Sequence, residues 1–239
     1  MFRQWMVLGS ALFASSQFAH AATIGVAGDS FDMSNPAYVS KLESSGHQFV
    51  EIANFNPETI MNLDAIWLDG FSAFFFTDLD LSSPNLTAWV QNGGTLLVQS
   101  PGFGAESADQ YPFGHDLTVQ LAPSENTIRI RQSEPWLKGV TDAQLSNWNQ
   151  TEAPGQFLTI GDWQGLADNG TDGGWVTIGR VEGSGAAVYT FEDISRMMFD
   201  PRSGDAIALL DSIIPVPEPA TTTLLVLGAA AIPFLRRRR

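Results

Sequence analysis

Asp64-Ala65-Ile66-Trp67-Leu68-Asp69, followed by Pro84-Asn85-Leu86-Thr87-Ala88-Trp89-Val90-Gln91-Asn92-Gly93-Gly94 and Thr95-Leu96-Leu97-Val98-Gln99, decides the fold class of this 239-residue chain. The first segment is an apolar run between two aspartates and has the length of a buried strand. The second opens on proline, presents Leu86, Trp89 and Val90 at helical spacing, and stops at a glycine pair. The third is a second apolar run. Strand, helix and strand in this order make a βαβ unit, and strands apolar along their whole length belong to a parallel sheet covered on both faces.

The same alternation extends towards the amino end. Thr23–Ala27 reads as a strand, Gly28-Asp29-Ser30 as the turn leaving it, and Asn35-Pro36 as a helix start. Tyr38, Val39 and Leu42 form the apolar stripe of that helix, and Ser44-Ser45-Gly46 ends it. Gln48–Ile52 is a further strand and Asn56-Pro57-Glu58 a short helical turn. With right-handed crossovers, residues 23–100 form the first half of a doubly wound α/β domain.

Beyond Ser100 the pattern loosens. Residues 101–126 are a Gly-, Asp- and Pro-rich excursion with an apolar piece at Leu117–Leu121. Thr127–Arg131, Phe157–Ile160, Trp175–Val181 and Gly185–Phe191 read as strands, the last two joined in a hairpin at Glu182-Gly183-Ser184. Pro135–Val140 is a turn with an apolar plug. Ser203 is the expected N-cap of a final helix that turns Ile207, Leu210, Ile213 and Ile214 to the sheet.

These elements resemble class I glutamine amidotransferase-like domains. The residues that carry the likeness are Ala65–Asp69, Trp89–Val98, Glu134–Val140 and the glycine hairpin Val181–Tyr189. The resemblance implies a flavodoxin-like, mostly parallel, doubly wound sheet with a β-hairpin addition. Active members of that family use a cysteine in a tight elbow after a strand. This chain has no cysteine, and the candidate after the fourth strand is Ser100, so amidotransferase activity is not implied.

Both ends read as addresses. Arg3, the apolar Trp5–Phe13 and Ala19-His20-Ala21 form a secretory signal peptide over residues 1–21, cut after Ala21. The exported α/β domain is residues 22–215. At the other end stand Val216-Pro217-Glu218-Pro219-Ala220, an apolar run to Leu235 and Arg236-Arg237-Arg238-Arg239. As a helix, the run from Ala220 to Leu235 spans about 24 Å, slightly short of a hydrocarbon core of about 30 Å. The arginines stay cytoplasmic by the positive-inside bias. A Pro-Glu-Pro box, spanning helix and arginine cluster over residues 216–239 resemble the PEP-CTERM sorting signal. That likeness implies an exosortase as partner, after the secretion translocon and signal peptidase. It further implies a transient inner-membrane anchor and a final place at the cell surface or outside it, with exopolysaccharide and biofilm matrix as the setting.

Without Arg3, Arg236–Arg239 and Glu218, 7 basic residues face 25 acidic ones, a net charge of about −18. Nucleic acid and anionic lipid are excluded as partners, because phosphate binding needs a basic patch. The absence of cysteine excludes thiol nucleophiles and zinc-thiolate sites. Once His20 leaves with the signal peptide, His47 and His115 are too few for a three-histidine metal centre.

In an open parallel sheet ligands bind beyond the carboxyl ends of the strands. That rule selects Asp29, Ser30, Asp69, Ser100, Glu192 and Asp193 as a candidate crevice. Close carboxylates there suit a hard cation such as Ca²⁺; the same residue types also cap helices and hold turns. A Ser100–His115 pair with Asp116 or Glu192 has the composition of a hydrolase triad. Pro101 argues against it by removing the backbone N–H that follows the nucleophile. Asp168–Gly174 reads as a polar turn, since Gly170 and Gly179 stand where a calcium loop needs oxygen ligands. Phe74-Phe75-Phe76 is either core or a platform for sugar rings, and His47 beside Gly46 reads as a solvent-facing turn residue. The expected function is a non-catalytic structural or ligand-binding domain at the cell surface. The alternatives are a surface hydrolase of carbohydrates or esters with its site at the strand ends, and calcium-dependent adhesion.

Overall fold

The computed structural model describes residues 21–28, 31–69, 79–99, 112–114, 117–121, 127–148 and 155–214. The expected signal peptide, the sorting signal at 216–239, Phe74–Phe76 and His115 lie outside them. Among the described residues no helix is long and apolar enough to cross a membrane.

Ten strands and six helices are present among the described residues, in the order β1 (Thr23–Ala27), α1 (Pro36–Glu43), β2 (Gln48–Glu51), α2 (Pro57–Ile60), β3 (Ala65–Asp69), α3 (Pro84–Gln91), β4 (Thr95–Gln99), β5 (Thr118–Leu121), β6 (Ile128–Ile130), α4 (Asp142–Leu145), β7 (Gly155–Thr159), β8 (Gln164–Asn169), β9 (Trp175–Glu182), β10 (Gly185–Thr190), α5 (Ile194–Met197) and α6 (Ser203–Ile213). The sheet runs β2-β1-β3-β4-β10-β9-β7-β5, with β8 pairing both β9 and β6. From β2 to β10 every pairing is parallel. From β10 onward every pairing is antiparallel. The sheet is therefore mixed rather than mostly parallel. The expected hairpin of β9 and β10 is present, but it opens a five-strand antiparallel extension instead of being a small addition.

Local chemistry explains the parallel half. Asn35 caps α1, its Oδ1 accepting from Ala37 N at 3.0 Å and Tyr38 N at 3.4 Å, with Pro36 at the first helical position. Gly46, at φ 90°, takes the left-handed conformation after the helix. β3 and β4 are buried at all five positions each, as strands covered on both faces must be. The chain moves from β1 to β2 in one direction and from β2 through β3 to β4 in the other. Right-handed crossovers then place α1 on one face and α2 and α3 on the opposite one. α6 joins α1: Lys41 Nζ donates to Ser203 Oγ at 3.3 Å, and the Tyr38 and Phe199 rings stack at 4.7 Å.

Three smaller expectations are corrected. Arg202, not Ser203, occupies the cap position of α6, and Ser203 is its first residue. The buried face of α6 is Ala206, Leu209, Leu210 and Ile213, with Ile207 only partly buried. His47 is not solvent-facing: it is 5% exposed, because Ala22 N donates to its Nδ1 at 3.3 Å and Asp211 Oδ1 lies 2.9 Å from its Nε2.

Candidate functional site

The end of β1 turns sharply at Gly28, whose φ of 136° excludes most side chains. A Cβ there would lie 1.5 Å from the carbonyl oxygen of Asp69 at the end of β3. The two strand ends therefore touch through backbone alone, at the point where the strand order reverses. Phe31, a few residues on, packs edge-to-face on Trp67 of β3 at 5.0 Å. Tyr38 is the third residue of α1, in its first turn.

Tyr38 reports the convergence. Its phenol is pushed above the ordinary tyrosine range, first by burial and then by the carboxylates of Asp69, Asp32 and Asp193. These three acids come from the end of β3, the β1–α1 loop and the segment after β10. Asp69 is fully buried, Asp193 is 6% exposed and Asp32 is open to solvent. Phe199, 47% exposed, is stacked on the other side of Tyr38's environment as a half-open aromatic surface.

Asp193 also has structural work. Its Oδ1 accepts from Arg196 N at 3.2 Å as the cap of α5, from Gln99 Nε2 at 3.2 Å and from Ser195 Oγ at 3.3 Å. Gln99, the last residue of β4, completes a clasp: its Oε1 accepts from Ser195 N at 3.2 Å and its Nε2 donates to Ser195 Oγ at 3.0 Å. The capping role open for strand-end acids is thus realised at Asp193.

Glu192 differs from its neighbour. It is 2% exposed, and its Oε1 has no hydrogen-bond partner among the described residues. Burial pushes its carboxyl up to about 8, Asp193 adds to the rise, and the Arg202 guanidinium partly offsets it. Glu192 is therefore a neutral acid at pH 7. Arg202 is fixed at the end of α4, where Nη1 donates to Ser146 O at 2.7 Å and Asn147 O at 2.9 Å, and Nη2 to Ala143 O at 2.9 Å.

Of the six residues selected from sequence, Asp69, Glu192 and Asp193 lie at strand ends as expected, and Asp69 and Asp193 act on the same phenol. Asp29, Ser30 and Ser100 lie outside the described residues. Tyr38 and Gln99 were missed. Tyr38 reads as one member of an apolar stripe, whereas Gln99 had a visible signal, a polar residue closing an apolar strand. Among the described residues no group of three or more His, Asp and Glu side chains is arranged to hold a metal ion. Of the expected polar turn Asp168–Gly174, Asp168 and Asn169 are instead the end of β8 and Gly170–Gly174 makes the turn into β9: Asn169 Oδ1 accepts from Asp172 N at 2.8 Å, and Asp172 Oδ1 from Gly174 N at 3.0 Å.

No family model matches the chain. No curated protein matches it either. Solved structures do. The cytoplasmic protein STM3548 of Salmonella typhimurium aligns with a TM-score of 0.54 at 10% identity, over 81% of this chain and 97% of its own. The cytoplasmic protein STM1381 of Salmonella typhimurium LT2 aligns with a TM-score of 0.53 at 12% identity, over 80% and 99%. The flavodoxin-like order 2-1-3-4 continued by a parallel fifth strand, together with these neighbours, supports the α/β fold expected from the sequence. Likeness at this identity speaks for the fold alone.

Proposed function

We propose that the chain is an exported, exosortase-sorted protein whose α/β domain binds a ligand of the extracellular matrix without transforming it. The Pro217-Glu218-Pro219 box and Arg236–Arg239 support the sorting, and Ala19-His20-Ala21 supports the export. The observation that carries the binding reading is the half-open ring stack of Tyr38 on Phe199. The Tyr38 phenol also feels the carboxylates of Asp69, Asp32 and Asp193, Asp69 ending β3 at the β1/β3 switch point where α/β sheets take ligands. The exposed Asp32 carboxylate can accept from sugar hydroxyls, and the Tyr38–Phe199 pair offers a ring face, so an uncharged exopolysaccharide suits this surface better than a polyanion. The engagement of Gln99, Asp193 and Ser195 in a clasp favours a fixed binding surface.

Calorimetric titration with exopolysaccharide purified from the producing cells tests the proposal. Tyr38→Phe and Asp32→Asn are expected to weaken binding at least tenfold with the thermal midpoint retained. Unchanged binding in both variants, or no binding by the wild type, overturns it. In cells lacking the exosortase, the expected product keeps its arginine tail; tail removal there overturns the sorting.

One feature favours the hydrolase alternative: burial pushes the Glu192 carboxyl up to about 8, the direction a general acid needs. Turnover of aryl glycosides or esters that Glu192→Gln abolishes would establish that reading instead.

A further inference from the structure

We propose that His47 and Asp211 form a seat for the amino terminus released when the Ala21–Ala22 bond is hydrolysed, an inference that rests on the export reading above. Two independent lines meet on this bond. The sequence marks it as the end of a cleavage motif, and in the fold it divides an exposed Ala21 from a fully buried Ala22. The backbone at Ala22 and Thr23 is held: Ala22 N–H donates to His47 Nδ1 at 3.3 Å, its carbonyl accepts from Gln48 N at 2.9 Å, and Thr23 N donates to Asp64 Oδ2 at 2.8 Å.

The hydrogen-bond roles fix the chemistry. An Nδ1 that accepts carries no proton, so the ring proton sits on Nε2 and is donated to Asp211 Oδ1 at 2.9 Å. The imidazole is nearly buried, whereas the Asp211 carboxylate is 45% exposed at the far end of the relay. Hydrolysis adds water across the bond. The C–N bond breaks, Ala21 departs with a carboxylate, and Ala22 keeps an amine that is protonated at neutral pH. The bond to Nδ1 then has a cationic donor, and the Asp211 carboxylate lies across the ring from it. Such charge-assisted bonds are about twice as strong as neutral ones. Because Ala21 is exposed, water reaches the remaining ammonium hydrogens and the new charge is not stranded.

The test uses the full chain, produced in an exporting host and purified after processing. Terminal sequencing is expected to read Ala22 first. Acetylation of its amine by an N-hydroxysuccinimide ester is expected to be at least tenfold slower in the native protein than in urea. His47→Asn is expected to lift that protection, and Asp211→Asn to lift it in part. Should His47→Asn not fold, Asp211→Asn, whose side chain is half open to solvent, decides the matter. An uncut Met1 terminus overturns the export reading together with the seat, and a processed terminus other than Ala22 overturns the seat alone. A terminus at Ala22 that labels as fast in the native state as in urea, or equal protection in Asp211→Asn, overturns the seat alone.

Discussion

Replacing Glu192 by glutamine is expected to stabilise the protein above neutral pH, the reverse of the usual result for a buried polar residue. The wild-type carboxyl stands at about 8 in the folded chain against an ordinary 4.5. Below 4.5 it is protonated in both folded and unfolded states and contributes nothing to pH dependence. As pH rises, the unfolded carboxyl ionises while the folded one cannot, so stability falls until about pH 8, where the folded group also ionises and the loss levels off. At about 1.36 kcal/mol per pH unit, this withholds about 3 kcal/mol at pH 7 and about 4 kcal/mol at pH 8. Glutamine keeps the shape and a donor but does not titrate. The difference in stability between Glu192→Gln and wild type should therefore be near zero at pH 4.5 and grow to about 3 kcal/mol at pH 7, a midpoint rise of about 6–12 °C for a domain of this size. Urea unfolding at half-unit pH intervals measures the difference directly, and other titrating groups cancel in it. Parallel pH profiles for the two proteins would refute the reasoning, because they would mean that the buried carboxyl ionises as freely as one in water.

Gly28→Ala should lower stability by about 3 kcal/mol or more, since the new methyl meets Asp69 O at a position no L-residue favours; an unchanged urea midpoint would contradict the close approach of β1 and β3. Arg202→Ala should cost about 2–4 kcal/mol by releasing the α4 carbonyls and Asp205. The same change should move the Glu192 titration upward, which carbon-13 NMR of the labelled carboxyl reads; a downward move would show that Arg202 does not act on it.

The parallel half of the fold was legible because its signals are local. Asn35-Pro36, Gly46, Pro57, Pro84 and Gly93 punctuate it, and the apolar runs at β3 and β4 have no second interpretation. The antiparallel half was less so. β8, Gln164–Asn169, is polar and contains glycine, and it is a strand because β9 and β6 pair with it from either side. α4 and α5 are four-residue helices, too short for an apolar period to show. His47 was misread for a related reason: its partners Ala22 and Asp211 lie 25 and 164 residues away, and nothing beside it in sequence announces them. Asp69, Glu192 and Asp193 lie at strand ends, as the element order read from sequence places them. The different fates of Glu192 and Asp193 depend on which of two adjacent carboxylates meets a backbone donor.

The place of β10 gives the chain a particular order of arrival. It is the tenth strand in sequence but the fifth in space, lying between β4 and β9. On the export proposed above, in which the polypeptide crosses a membrane amino end first, β1 to β4 emerge long before their last neighbour. The flank of β4, buried along its whole length in the finished sheet, then stands bare as a ledge on which other chains can dock. Such a protein needs either rapid passage of its final quarter or a chaperone outside the membrane. A cut beyond Ile214 comes late enough that every strand needed to cover that ledge already lies upstream of it.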